Sequence, residues 1–331
     1  MYNIAEIESV HFEITNKCQA RCPMCPRRIL GGPENPFVEQ AEILLDDFKK
    51  WFPVYFIKSL KNFIMCGNLG DPIVAKDTLK IFEYIKDINP GIELHMHTNG
   101  SGRSKDWWEG MAALDVIITF GIDGLGDTHH LYRIDTDWNK IISNAKIFIQ
   151  AGGRARWNML AFKHNEHQIE SCQQLSKSLG FEVFEVKHTS RFKTQQWRAI
   201  DDLGRTVHVL EPTARSLSMI PKMIAAEAEI KPFIDCKAVK NKQMYVAADG
   251  NVTACCWIDS KWKAPMDDYR IDYMDKIGVF YNLKNNSLEE IFNSGYFNDI
   301  VDTWSTCALK ECSKQCGSFN KFGQQFENKD Y

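Results

Sequence analysis

The 331-residue chain lacks the features that would assign it to several large classes of protein. It has no apolar run approaching the roughly 18 to 20 residues a membrane-spanning helix needs. Its first residues, MYNIAEIESVHFEIT, lack the basic segment followed by an apolar one that marks a secretory signal, so the cytoplasm is the expected compartment. It has no excess of charge of either sign: 40 Lys+Arg face 43 Asp+Glu, a formal net charge of −3. No global field draws in polyanions, so neither nucleic acid nor a membrane surface is an expected partner. Internal repeats and low-complexity tracts are also missing. At 44% hydrophobic and 25% charged residues the chain can bury a large core, which excludes disorder for most of its length. At roughly 100–200 residues per domain, its length predicts two domains.

What the chain has in excess is cysteine. There are eleven, at 18, 22, 25, 66, 172, 236, 255, 256, 307, 312 and 316. The number is odd, and a cytosolic chain of this length needs no disulfide framework. The grouping into 18–25 and 236–316, with Cys66 and Cys172 isolated, points to two metal sites.

From Val10 to about Lys187, short β-branched or aromatic runs alternate with longer amphipathic segments. Strands are expected at 10–15, 63–66, 92–97, 116–122, 155–162 and 182–187, and helices at 37–51, 75–88, 104–113, 138–151 and 166–179. Six βα units in series predict a parallel sheet, open or curled into a partial barrel, with ligands at the carboxyl ends of its strands. The unusual residues lie there: Cys18 to Cys25, Gly67 to Pro72, Thr98-Asn99-Gly100 and Asp123-Gly124. The stretch from 190 to 230 shows no β pattern, carries basic residues and predicts a helix near 217–229.

Cys18-x3-Cys22-x2-Cys25 places three soft thiolates in a loop that Pro23 and Pro26 keep out of helix. Three ligands leave one coordination position open, whereas a structural zinc takes four. This spacing after the first strand of a six-fold βα series resembles the signature of the radical S-adenosylmethionine (radical SAM) superfamily. The resemblance implies a partial (β/α)6 barrel in which Cys18, Cys22 and Cys25 hold three irons of a 4Fe-4S cluster and SAM takes the fourth. It extends through residues 10–187. MCGNLGDPIV (65–74) is similar to the family's Gly-Gly-Glu-Pro segment, with Asp71 in place of Glu and Leu69 in place of the first Gly. HTNGSG (97–102) is similar to its Thr-Asn-Gly segment. In FGIDGLGDTHHLYR (120–133), Gly121 replaces the usual Ser while Arg133 is retained. Asn165 matches a position after strand five. The cofactor-binding residues implied are therefore Gly67, Asn68, Gly70, Asp71, Thr98, Asn99, Arg133 and Asn165.

Cys236, Cys255, Cys307, Cys312 and Cys316 form a second soft set, able to close a four-ligand site. With DGNVTACCW (249–257) and NLKNNSLEEIFNSGYFNDI (282–300), it resembles the cysteine-rich extensions called SPASM, or twitch when shortened. That resemblance implies a small α+β domain with one auxiliary 4Fe-4S cluster on Cys236, Cys255, Cys312 and Cys316, Cys307 being the alternative to Cys312 and zinc the alternative metal. The expected organisation is a barrel over 1–190, a bridge over 191–230, the cluster domain over 231–317 and a tail over 318–331. The expected reaction is hydrogen abstraction from an unactivated carbon followed by electron loss to the auxiliary cluster, with a flavodoxin- or ferredoxin-like electron donor. With seventeen residues ahead of Cys18, no fused leader-peptide-binding domain is expected, which favours a small-molecule or sugar-like substrate over a peptide. Asp123 is a candidate proton acceptor or substrate contact. Cys256, beside a predicted ligand, is a candidate hydrogen-atom donor for a redox-neutral epimerase, the rival reaction. A zinc-binding interaction module is the rival from another class.

Overall fold

A computed structural model describes residues 3–189, 191–192, 194–218, 233–263 and 268–317. Six parallel strands follow one another across the sheet: β1 (Ser9–Phe12), β2 (Asn62–Met65), β3 (Glu93–Thr98), β4 (Val116–Gly121), β5 (Arg154–Ala161) and β6 (Val183–His188). Between them run α1 (Leu45–Trp51), α2 (Val54–Ser59), α3 (Thr78–Ile88), α4 (Lys105–Ala113), α5 (Trp138–Gln150) and α6 (Ile169–Leu179). This is the expected α/β partial barrel. The two faces of its strands differ because side chains alternate at period two. Val10, Phe12, Phe63, Met65, Leu94, Met96, Ile118, Phe120 and Trp157 are buried in the main core. Phe12 meets Phe48, Phe52 and Phe63 with ring centroids 5.4–5.8 Å apart. The opposite register carries His11, His97, Thr119, Arg156, Asn158, Glu185 and Lys187, so the inner face is polar.

Two stretches depart from expectation. Helix begins only at Leu45, not 37, because side chains at the end of β1 capture the preceding backbone: Thr15 Oγ1 donates to the Ala41 carbonyl (2.9 Å) and Asn16 Oδ1 accepts from the Ala41 N–H (2.7 Å). The bridge, expected to lack strands, contains a hairpin of β7 (Trp197–Ile200) and β8 (Thr206–Leu210). Its turn is held by Asp201, whose Oδ1 accepts from Leu203 N (3.0 Å) and Arg205 N (2.9 Å). Past residue 218, the helix expected near 217–229 lies outside the described residues, as does the tail from 318.

The cysteine-rich half is α+β, as expected. It comprises α7 (Lys237–Lys240), β9 (Gln243–Val246), β10 (Asn251–Thr253), α8 (Cys256–Trp262), α9 (Asp268–Lys276), β11 (Tyr281–Asn282), α10 (Leu288–Asn293), α11 (Tyr296–Thr306) and α12 (Lys310–Cys316). Its strands extend the main sheet. β9 pairs in parallel with β1, giving the order β11-β10-β9-β1-β2-β3-β4-β5-β6. Gly250, at φ +92°, turns the β9–β10 hairpin where a Cβ would lie 2.7 Å from Asn282 Oδ1. Among the described residues, no helix is long and apolar enough to cross a membrane.

Candidate active site and metal centres

The loop carrying Cys18, Cys22 and Cys25 follows the carboxyl end of β1 and packs, through Ala20, Cys22 and Met24, on Tyr132, Phe162, Phe192 and Leu210. The bridge clamps it from outside: Trp197 Nε1 donates to the Pro23 carbonyl (3.1 Å), Arg191 Nη1 to the Met24 carbonyl (2.6 Å), and Asp202 pairs with Arg21 and Arg28. Each sulfur meets a different loop. Asn99 Nδ2 lies 3.7 Å from Cys18 Sγ, Arg133 Nη1 4.0 Å from Cys22 Sγ, and the Asn68 carbonyl oxygen 3.9 Å from Cys25 Sγ. Burial pushes the Cys18 thiol up, and that of Cys22 up to about 11. Desolvated thiols of this kind ionise when a metal supplies the counter-charge.

Asp71 ties the loops after β2 and β3 together. It is buried, and its Oδ1 accepts from Ile73 N (3.1 Å) and Thr98 Oγ1 (2.8 Å), its Oδ2 from Asn99 N (2.7 Å) and Asn99 Nδ2 (2.6 Å). Burial pushes its pKa up against these four donors. The carboxylate is thus consumed in shaping the loops, which leaves their backbone to meet a ligand. The two glycines of the turn admit no Cβ: one on Gly67 would fall 1.8 Å from the Gly70 carbonyl oxygen, and one on Gly70 1.9 Å from that of Thr15.

Arg133 reaches Cys22 over Gly121, where a Cβ would fall 2.5 Å from its Nη2; the absence of the usual Ser gives the guanidinium its seat. Asp123 holds it there. Asp123 is fully buried, with Oδ2 on Arg133 Nε (2.6 Å) and Oδ1 accepting from Leu160 N (2.6 Å). Both of its oxygens are engaged, so the carboxylate joins Arg133 to the β5 backbone. His129 braces the same turn. Its Nδ1 accepts from Asp123 N (3.0 Å), which places the proton on Nε2, facing Thr136 Oγ1 (3.0 Å). Asn165 is also committed internally, donating to the carbonyls of Asp123 (3.1 Å) and Leu160 (3.0 Å) and accepting from Phe162 N (2.7 Å).

The second set gathers four thiols. Cys316 hydrogen-bonds with Cys236, which together with burial pushes it up; Cys312 is buried and feels the charges of Cys255 and Cys316. Asp235 N donates to the Cys316 carbonyl (2.8 Å), joining the two ends of the domain. Cys307 is exposed and lies beside Lys276 instead. The adjacent cysteines feel each other but have different further neighbours. Cys255 lies toward Cys316 and Cys312, whereas Cys256 lies toward Cys66, Asn68 and Glu13, with burial pushing its thiol up.

Sequence reasoning missed the polar groups of the barrel interior. Asn158, with its amide oriented to satisfy both neighbours, donates to Glu185 Oε2 (3.0 Å) and accepts from Lys187 Nζ (3.0 Å). Burial holds His11 and His97 neutral, lowering them to about 4 and about 3. Glu13, just past β1, accepts from Asn68 N (2.9 Å) and Tyr245 OH (2.7 Å). The available signal was charge alternating with apolar residues inside strands, as in EVFEVK and HFE.

These sites have counterparts in known families. Residues 12–175 match the radical SAM superfamily and residues 236–317 the SPASM iron-sulfur cluster-binding domain. The chain therefore belongs to the radical SAM superfamily and carries a SPASM domain, and the cofactors of these two domains are 4Fe-4S clusters and SAM. Streptococcus suis SuiB bound to S-adenosylmethionine is similar in fold at 12% identity, with a TM-score of 0.60, over 96% of this chain and 74% of that one. SuiB has also been solved with its precursor peptide SuiA (11% identity, TM-score 0.59, 96% and 73% covered). The enzyme anSMEcpe with bound AdoMet is similar at 13% identity, with a TM-score of 0.59 over 95% and 86% of the two chains. The residues present fit such cofactors. Two desolvated thiols, Cys18 and Cys22, lie with Cys25 in the first loop, Asn68 Nδ2 is buried beside it without an oxygen or nitrogen partner, and in the second set Cys255, Cys312 and Cys316 feel one another's charge while Cys316 meets Cys236.

Replacing Asp71 by Asn would turn an amide NH2 toward two of the four donors or leave them unpaired, at about 1–3 kcal/mol for a buried unsatisfied group. Asp71→Asn is expected to weaken SAM binding by about tenfold or more while both iron-sulfur sites stay loaded, as measured by anaerobic equilibrium dialysis with iron quantified in parallel.

Proposed function

We propose that this radical SAM enzyme oxidises a small polar, sugar-like substrate by two electrons, the electron released after hydrogen abstraction passing to an auxiliary cluster. What supports this reading is the difference between the two thiol sets: three at the barrel rim would leave one position for SAM, and four in the SPASM domain would leave none for a substrate. When bound, the rim cluster and SAM supply the 5'-deoxyadenosyl radical that takes the hydrogen atom. Cys18, Cys22 and Cys25 are assigned to that cluster. Gly67, Asn68, Gly70, Thr98 and Asn99 would line the SAM site, Arg133 would meet the SAM carboxylate, and Asp71, Asp123 and Asn165 would hold these groups in place. Cys236, Cys255, Cys312 and Cys316 are assigned to the auxiliary cluster. The acceptors and donors inside the barrel (His11, Asn158, Glu185 and Lys187) suit a hydroxylated molecule. A flavodoxin- or ferredoxin-like protein is the proposed electron donor.

Two other readings each have a supporting observation. Cys256 faces the barrel, as a thiol that returns a hydrogen atom in an epimerase would. SuiB was solved with a precursor peptide, which supports a peptide substrate.

Changing Cys18, Cys22 and Cys25 together to Ala is expected to halve the iron, from about eight per chain, and to abolish reductive formation of 5'-deoxyadenosine. Zinc without acid-labile sulfide in the parent protein would overturn the enzyme reading. Anaerobic incubation with SAM, reductant and fractionated metabolites in heavy water then decides the reaction. A product lighter by two hydrogens supports oxidation; an isomer gaining one deuterium, lost in Cys256→Ala, supports epimerisation.

The fourth auxiliary ligand is tested separately. Cys312→Ala is expected to change the auxiliary cluster's spectrum and potential, and Cys307→Ala to leave both nearly intact; the reverse pattern would assign Cys307.

A further inference from the structure

A chain of buried titratable groups runs from the barrel rim through the SPASM domain to the surface. It starts at Glu13, which is 2% exposed and accepts from the backbone of Asn68, the residue whose carbonyl meets Cys25. Tyr245 OH, on β9, lies 2.7 Å from Glu13 Oε1 and 3.3 Å from Asp259 Oδ2 on α8. Asp259 Oδ2 also accepts from Lys263 Nζ (2.8 Å), and Lys263 Nζ lies 3.0 Å from Asp249 Oδ2, whose side chain is 29% exposed. Every link is within hydrogen-bond reach, and every group can give or take a proton.

Two features set this chain apart from a static polar cluster. Tyr245 has one hydroxyl hydrogen and two carboxylate oxygens within reach, so it satisfies both only if one carboxyl is protonated. In addition, Asp259 Oδ1 is buried with no partner, in a side chain only 1% exposed. The network is therefore one hydrogen short when both acids are ionised. We propose that Glu13, Tyr245, Asp259, Lys263 and Asp249 form a proton relay between the open end of the barrel and solvent at the SPASM surface.

The groups facing Glu13 agree with this. Asp259 and Lys263 act on it from α8 and the residue following it, Tyr245 from β9 and the Asn68 N–H from the loop after β2. Cys66 and Cys256 both feel its charge. Burial, followed by the charge of Asp259, pushes Glu13 up to about 7, so it exchanges a proton near neutrality. Burial also raises Asp259 and Tyr245. Tyr245 takes the Glu13 proton as its own hydroxyl hydrogen passes to Asp259, and the Lys263 ammonium, held charged between Asp259 and Asp249, gives one proton to Asp249 as it takes another from Asp259.

The chemical use of the relay rests on the oxidation reading above. After a C–H hydrogen atom is lost, the substrate radical must give up one electron, to the auxiliary iron-sulfur cluster, and one proton. The O–H or N–H bond of the substrate breaks as the Glu13 O–H bond forms, and the relay returns that proton to water. Proton and electron would then both leave through the SPASM domain.

Infrared difference spectra of the cluster-loaded protein, parent minus Glu13→Gln, test the relay without substrate. A carboxylic-acid band is expected at pH about 6 that disappears as the pH rises through about 7. Tyr245→Phe removes a donor to the carboxylate and should move that midpoint up; Asp259→Asn removes a like charge and should move it down. Deuteration of the acid on rapid dilution into heavy water should slow several-fold in Tyr245→Phe and Asp249→Asn, with circular dichroism and cluster absorbance unchanged. Absence of the band between pH about 5.5 and 8.5, or deuteration unaffected by both variants, would overturn the relay. A titrating band in an enzyme whose product is not oxidised would leave the relay standing and refute the oxidation reading instead.

Discussion

β1 is the strand on which both halves of this molecule depend. It is hydrogen-bonded on one side to β2 and on the other to β9, both in parallel, so the barrel and the SPASM domain share one sheet and one apolar core. Its outward residues Val10 and Phe12 anchor the core, its inward His11 lines the barrel, and the chain leaving its carboxyl end carries Glu13 and then the three thiols. Parallel pairing on both flanks aligns the carboxyl ends of β2 and β9 with that of β1. The loop after β2 and the β9–β10 hairpin therefore arise beside the thiol loop. Loss of this register would separate the two thiol sets from each other and from the barrel interior.

The site is built by spending polar groups on loops. Asp71, Asp123 and Asn165 are charged or strongly polar, yet each has its hydrogen-bonding atoms occupied by neighbouring backbone or side chains. Buried acceptors must be satisfied, and a carboxylate with four donors fixes the relative position of two loops more tightly than apolar contact does. Arg133, seated over Gly121 and fixed by Asp123, is a cation aimed at the rim by the same device. The SPASM half contributes to this rim as well, because Cys256 and Tyr245 face the barrel while Cys255 faces the second thiol set.

Much of this was legible in the sequence, and the parts that were not have physical reasons. The six βα units showed through because a core strand must alternate or run apolar and the helices between must be amphipathic. Both thiol sets showed through because soft ligands at fixed spacing are rare by chance. The hairpin β7–β8 was missed because it is not part of the main sheet and is exposed at Leu203, Val207 and Val209, so no strong burial pattern marked it. The late start of α1 was missed because its cause, capture of the Ala41 backbone by Thr15 and Asn16, is a contact between segments 26 and 25 residues apart.

The sequence by itself determined the class of chemistry, the order of strands and helices in the barrel, and the candidate ligands of each thiol set, because all of these depend on residue type and local spacing. Tertiary structure alone decided how those residues are used. It buries Cys312 and exposes Cys307, sets Cys256 near Cys66 and Glu13 while Cys255 lies near Cys316, and binds the two oxygens of Asp123 to Arg133 and Leu160. It also joined Glu13 to Tyr245 across 232 residues of chain. Whether a carboxyl group takes a proton, holds a cation or pins a loop depends on what surrounds it in three dimensions, and no local spacing encodes that.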